Sequence, residues 1–323
     1  MMRKTIHSLF TAAALLGLGA YTVTATAAAP MVKTQAPGYY RMMLGDFEVT
    51  ALSDGTVQLP MPKLLIAARP GEVKQALERN FMPSDTVETS VNGYLVNTGS
   101  RLVLIDTGAA GLFGPTLGNL LANLRAAGYQ PEQVDEIYIT HMHADHVGGL
   151  MAGASRAFPN ATLRIDQRDT DYWLSEANLA AAPADAKGFF QGAMASVNPY
   201  AAAGKLKPFQ GRTELVPGIH SAPGYGHTPG HTVYVVESKG QKLVLWGDLM
   251  HVAAVQFEDP AVTIQFDSDQ AAAARERMQA YADAAKNGYL VAASHIAFPG
   301  MGHLRPGAGQ AYTWVPLNYS GLK

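Results

Sequence analysis

Four side chains of metal-ligand type stand within six positions in the run His141-Met142-His143-Ala144-Asp145-His146. Imidazole suits Zn²⁺ and related ions, and a carboxylate suits harder ones, so this run offers sites for divalent cations. In an extended turn His141 and His143 fall on one side and can grip one ion, while Asp145 and His146 turn toward a second. One short run cannot complete two tetrahedral sites. Three further candidates stand beside apolar, strand-like segments: His227 in Gly226-His227-Thr228-Pro229-Gly230-His231-Thr232, Asp248 in Trp246-Gly247-Asp248, and His295 in Ser294-His295. His303 competes with His295, but it lies in a Gly-rich stretch, whereas His295 follows an apolar segment. His220 has no pattern around it.

Those residues must be held by the elements that precede them. Glu136 to Ile139 reads as a short buried strand running directly into the His-rich turn, and strand ends opening into loops are where ligands converge in α/β architectures. Phe47 to Leu52 alternates as a strand. Tyr94 to Val96 and Leu102 to Ile105 read as a hairpin with Asn97-Thr98-Gly99-Ser100 as its turn. Leu117, Leu120, Leu121 and Leu124 space a helix over Thr116 to Ala127, stopped by Gly128. Thr162 to Ile165 reads as a strand and Asp169 to Asn178 as a helix. Ala180 to Gly211, rich in Ala, Gly and Pro, reads as short helices and loops. The pattern then recurs, with strands near Ile219, over Thr232 to Val236 and over Leu243 to Trp246. A helix over Gln270 to Lys286 and a strand over Tyr289 to Ala292 follow. Two rounds of strands with helices predict two similar halves packed sheet to sheet.

The 323 residues allow two domains or one large α/β domain. Lys and Arg total 24 against 26 Asp and Glu, so no basic excess exists to hold nucleic acid. Cysteine is absent, which excludes disulfides, thiolate sites and cysteine nucleophiles. Arg3 and Lys4, the apolar run from Leu9 to Ala20 and the small residues Ala25-Thr26-Ala27 read as a secretory signal peptide. That run is too short to span a bilayer comfortably, so no stable membrane anchor is expected. Residues 28–323 would then form a single exported domain, periplasmic or secreted.

Taken together, His141-x-His143-x-Asp145-His146, Gly226-His227-Thr228-x-Gly230-His231, Gly247-Asp248 and His295 resemble the metallo-β-lactamase superfamily, with Ile105-Asp106-Thr107-Gly108 matching its earlier structural motif. Within it the chain resembles the methyl parathion hydrolases and related dihydrocoumarin-type lactonases along its whole mature length. The resemblance implies an αββα sandwich with the metals along one edge. It implies that His141, His143 and His227 hold one ion, that Asp145, His146 and His295 hold the other, and that Asp248 bridges them. Zn²⁺ is the default, with Mn²⁺, Co²⁺ or Fe²⁺ compatible with the carboxylates. A bridging hydroxide, hydrogen-bonded to Asp145, would be the nucleophile. His231 would support its loop, and Asp106 would orient the metal loop. A homodimer is also implied.

By the same resemblance, Phe113, Trp173 and Phe190 would form an aromatic pocket for an aryl leaving group. His251, three residues after Asp248, stands where the organophosphorus hydrolases carry an apolar residue, and Ile264 and Phe266 are bulkier than expected there. A polar residue near the metals and a tighter wall favour a flat aryl lactone or aryl ester over a phosphotriester, whose hydrolysis would be a weaker side activity. The alternative is organophosphorus hydrolysis as the main activity. An acyl-homoserine lactonase would want a long apolar channel, and a glutathione thioesterase a basic surface. A periplasmic metal-binding protein would need neither a bridging carboxylate nor open coordination positions.

Overall fold

A computed structural model describes residues 29–66 and 69–322. The expected signal peptide therefore lies outside the described residues. Two sheets face one another within Pro37–Lys323. The first runs in the order Tyr39–Leu44, Phe47–Leu59, Val87–Asn97, Leu102–Ile105, Glu136–Tyr138, Thr162–Arg164, with the last two strands joined in parallel. The second runs Glu214–Val216, Ile219–Pro223, Thr232–Ser238, Gln241–Leu245, Leu290–Ala292, Met301–Pro306, Tyr312–Pro316.

The alternation of side chains explains the layering. Val103 and Ile105 point into the core between the sheets, where they join Val49, Tyr94, Tyr138, Tyr234, Val236 and Leu245. Their neighbours Leu102 and Leu104 point outward and pack with Leu120, Leu124, Phe190, Ala193 and Val197 from two helices, Leu120–Ala126 and Lys187–Ala202. On the second sheet Val233, Val235, Val244 and Trp246 face outward onto Tyr281 and Ala284 of the helix Gln270–Asn287. Both faces of each central strand are buried, hence unbroken apolar runs such as Leu102-Val103-Leu104-Ile105. The result is helix, sheet, sheet, helix, as the resemblance implied.

Three local readings need correction. The helix expected from Thr116 begins only at Leu120, because Gly118 is held at φ 95°. The stretch expected as short helices and loops contains the 16-residue helix Lys187–Ala202. Gly188, Gly192 and Pro199 hide it in the sequence, but Phe190, Ala193, Met194, Val197 and Tyr200 recur at helical spacing and are buried on one face. The helix expected from Asp169 to Asn178 is two helices, Gln167–Trp173 and Glu176–Ala181, because Ser175 caps the second by accepting from the Asn178 N–H. Among the described residues no helix is long and apolar enough to cross a membrane.

Candidate metal centre

The chemistry-bearing side chains gather at one edge of the facing sheets. The strand Glu136–Tyr138 leads into Thr140 and the His-rich run, where His143 precedes the helical turn Ala144–Val147. That segment is a helical turn rather than an extended one, and it carries Asp145 and His146, the His146 ring centroid lying 4.0 Å from that of His141. The second sheet supplies His227 from the loop before Thr232–Ser238, Asp248 after Gln241–Leu245, and His295 after Leu290–Ala292.

The structure brings all seven together. His141 Nε2, His143 Nδ1 and His227 Nε2 lie 3.0, 3.1 and 3.2 Å from one another. Three nitrogens on a tetrahedral ion with bonds of about 2.0–2.1 Å would stand roughly 3.3 Å apart, so the spacing fits one cation. Asp145, His146 and His295 form a second group. Asp248 stands between them. Its Oδ2 is 3.0 Å from His295 Nε2, 3.4 Å from His227 Nε2 and 3.6 Å from His141 Nε2, and its Oδ1 is 3.2 Å from His146 Nε2. His146 Nε2 and Asp248 Oδ1 are buried with no aligned hydrogen-bond partner. Buried polar atoms aimed at one another without donors between them are costly unless a cation takes their lone pairs. The two groups fit two divalent ions.

Four of the five histidines in the two groups, all but His143, are aimed by what holds their other nitrogen. His146 Nδ1 meets Asp106 Oδ2 at 2.8 Å, His227 Nδ1 meets Asp267 Oδ1 at 2.8 Å, and His295 Nδ1 donates to the Ser90 carbonyl at 2.8 Å. His141 Nδ1 is 3.1 Å from Thr140 Oγ1, which in turn donates to Asp106. Such partners leave the ligating nitrogen unprotonated and fix the ring. Asp106 is held in the left-handed region at φ 58°, a strained conformation kept by its bonds from Thr140 N and Oγ1. His231 is not in either group. Its Nδ1 donates to Gly224 O, its Nε2 accepts from the Asp248 N–H, and burial lowers its pKa to about 3. His303 lies elsewhere, against Gly288 O and Tyr289 O.

Charge follows the same division. Burial, and then the neighbouring imidazoles, push His141 and His143 well below the ordinary histidine range. Burial also works against charge on His146 and His295, but Asp248 and Asp145 outweigh it and raise both. Asp145 and Asp248 resist protonation despite their burial, held down by His146 and His295.

A cavity of about 70 Å³ opens over the centre. Of the six residues expected at a substrate pocket, Phe113, His251 and Phe266 line it. Trp173, Phe190 and Ile264 do not. Phe190 and Ile264 are buried in the cores, and Trp173 lies behind His143 with its ring centroid 5.4 Å away. The aromatic wall is Phe189 instead, one residue off, because the helix Lys187–Ala202 turns Phe190 toward the sheet and Phe189 toward His143 and Phe266. Val57, Leu59 and Thr89 complete the lining. His251 stacks on His295 with centroids 5.1 Å apart, and its Nε2 is 3.2 Å from Asp248 Oδ2. Burial lowers its pKa to about 4.

Sequence reasoning missed Asp169. Its buried carboxylate accepts from Met142 N–H at 3.0 Å, Thr228 Oγ1–H at 3.0 Å and Gly230 N–H at 2.6 Å, joining the two loops that carry His141, His143 and His227. Burial raises it to about 6. The approach is so close that a Cβ at Gly230 would lie 2.5 Å from Asp169 N. Asp169→Ala strands three buried donors and is expected to cost about 3 kcal/mol at roughly 1 kcal/mol each. Urea unfolding measures this, and a loss below about 1 kcal/mol would show that the loops hold without the staple.

The sequence profile described as Metallo-beta-lactamase superfamily matches residues 86–294. The N-acyl homoserine lactonase of Bacillus cereus is 24% identical over 225 residues, covering 64% of this chain and 82% of that protein. A solved structure described as hydrolase AbOPH in the beta lactamase superfamily has a TM-score of 0.84 at 37% identity, covering 89% of this chain and 100% of that one. AidC, a dizinc quorum-quenching lactonase solved with its homoserine product, has a TM-score of 0.81 at 26% identity, covering 88% and 99%. With this fold and two adjoining groups of ligand side chains, the chain belongs to the metallo-beta-lactamase superfamily and is a metal-dependent hydrolase.

Proposed function

We propose that the chain is a lactonase for compact, neutral aryl lactones and aryl esters of the dihydrocoumarin type, with weaker hydrolysis of phosphotriesters. The cavity carries this reading. Its walls are Phe113, Phe189, Phe266, Val57 and Leu59, its floor holds Asp145, Asp248, His251 and His295, and among the described residues no Lys or Arg lines it. A substrate bearing a carboxylate, such as a β-lactam or a glutathione thioester, would meet carboxylates and apolar rings with no counter-charge. A flat aromatic ring stacks on Phe113 and Phe189. Divalent ions bound at the two groups, Zn²⁺ by preference, would lower the pKa of a water toward ~7 and polarise the carbonyl. His141, His143 and His227 would hold one ion, Asp145, His146 and His295 the other, and Asp248 both. Asp145 lies on the cavity floor, where it would hydrogen-bond the bridging hydroxide.

N-acyl homoserine lactones are the second reading, favoured by the activities of the Bacillus lactonase and AidC. The compact cavity favours the flat substrate. The test is kcat/KM for dihydrocoumarin, N-hexanoyl homoserine lactone and methyl paraoxon on one metal-loaded preparation with a chelated control. Dihydrocoumarin should lead by at least about tenfold, the discrimination that 1.4 kcal/mol of differential binding gives. A lead by the acyl lactone or the phosphotriester replaces the reading with that activity.

His251 is the residue expected to set the balance. It puts a neutral polar ring against Asp248 and the cavity. His251→Leu should raise the phosphotriester-to-lactone ratio of kcat/KM by about tenfold, and an unchanged ratio removes its role. Export and a homodimeric state belong to the same reading. The N-terminal sequence of the protein recovered outside the cytoplasm and its sedimentation mass test them.

A further inference from the structure

Behind His227 lies a buried charge that the hydrolytic reading does not use. Arg277, in the middle of the helix Gln270–Asn287, has its side chain fully buried. Its Nε donates to Leu249 O at 2.5 Å, and its Nη1 donates to Pro260 O at 2.9 Å and to Val262 O. Its Nη2 has no hydrogen-bond partner and stands 3.8 Å from Asp267 Oδ2. The Asp267 side chain is equally buried. Its Oδ1 takes the His227 Nδ1–H, and its Oδ2 accepts from the Ile264 N–H at 3.2 Å. The same segment is tied to the His227 loop by Ser268 N–H to His227 O and Asp269 N–H to Gly226 O, both at 2.9 Å. Among the described residues no other Lys or Arg is paired with Asp267.

A buried carboxylate needs a compensating charge, and a buried guanidinium is expensive unless its position serves one. Arg277 satisfies both requirements from a rigid helix. We propose that Arg277 is a positioning residue for one half of the metal centre: through Asp267 it fixes the ring of His227, and so sets the affinity of the His141, His143, His227 group without setting that of the Asp145, His146, His295 group. The guanidinium balances a carboxylate that water cannot reach, so Asp267 remains the acceptor of the Nδ1–H and the Nε2 lone pair stays aimed at His141 and His143. In the other half His146 and His295 are held by Asp106 and the Ser90 carbonyl, neither of which is a partner of Arg277. A residue that merely glued loops together would weaken both halves alike.

The inference rests on the ligand assignment above, and the test separates the two. Zn²⁺ bound per chain is titrated against a competing chelator for the full-length protein, for Arg277→Met, for Arg277→Lys and for His227→Ala. Two ions on the unchanged protein and one on His227→Ala uphold the assignment, and any other count on those two overturns it. Given that result, Arg277→Met should lose one ion about tenfold or more readily and keep the second within about twofold, the range that loss of a ligand's supporting partner produces. Arg277→Lys, which keeps the charge without the fork, should fall between. Arg277→Met in the His227→Ala background should leave the remaining ion unchanged. Equal weakening of both ions, or no weakening, overturns the role of Arg277 alone. If Arg277→Met does not fold by circular dichroism, Asp267→Asn takes its place with the same expected asymmetry.

Discussion

Asp248→Ala is expected to lower kcat/KM by about 10³-fold, the equivalent of roughly 4 kcal/mol at 1.36 kcal/mol per decade. Among the described residues Asp248 is the carboxylate that stands between both groups. One carboxylate lies within 3.0–3.6 Å of five histidine nitrogens, those of His141, His146, His227, His251 and His295, and its backbone N–H is fixed on His231 Nε2. Under the proposed assignment its removal would take away the shared ligand, and it leaves His146 and His295 without the charge that most raises them. The two ions would then be held at separate three-residue sites with nothing to keep them in register. Metal content and kcat/KM should be measured on the same sample. Activity within tenfold of the unchanged protein, with two ions bound, would mean that the bridge is dispensable and the assignment of Asp248 wrong.

Chelation is expected to lower the melting temperature by about 10 °C. A ligand at 1,000 times its Kd stabilises the native state by about 4 kcal/mol, and 1 kcal/mol moves the midpoint of a domain of this size by roughly 2–4 °C. The structural reason is visible at the centre, where His141, His143 and His227 turn unprotonated nitrogens toward one another at 3.0–3.2 Å. Without cations these atoms repel, and water has little room to enter. Differential scanning fluorimetry with and without a chelator, followed by re-addition of Zn²⁺, measures the shift. A change below about 2 °C would show that the sandwich is stable without its ions and that the polar cluster tolerates its own repulsion.

The sheets were legible in the sequence because their strands are buried on both faces. Leu102 to Ile105 and Thr232 to Val236 need no partner to be recognised. The seven ligand-type residues were legible for a different reason: each directly follows or precedes such a strand, so fold and site are read from the same punctuation. What was not legible depends on rotation about a helix axis or on contacts distant in sequence. Phe190 and Phe189 differ by about 100°, which decides between core and cavity. Ile264 and Phe266 lie on one short segment, yet only Phe266 reaches the cavity. Asp169 and Asp267 look like ordinary helix-start carboxylates. Their partners, Gly230 and His227, are 61 and 40 positions away in the chain. Asp54 is a third instance, accepting from the N–H groups of Ala109, Gly118 and Leu120 to shape the loop that carries Phe113.

The division of ligands between the sheets has a consequence for how the protein matures. His141, His143, Asp145 and His146 follow strands of the first sheet, while His227, Asp248 and His295 belong to the second. Each ion would take donors from both, so neither half of the chain can capture its cations while the other is still being made. With that assignment, metal loading would be a checkpoint on completed docking, and the ions would act as rivets across the seam between the two sheets.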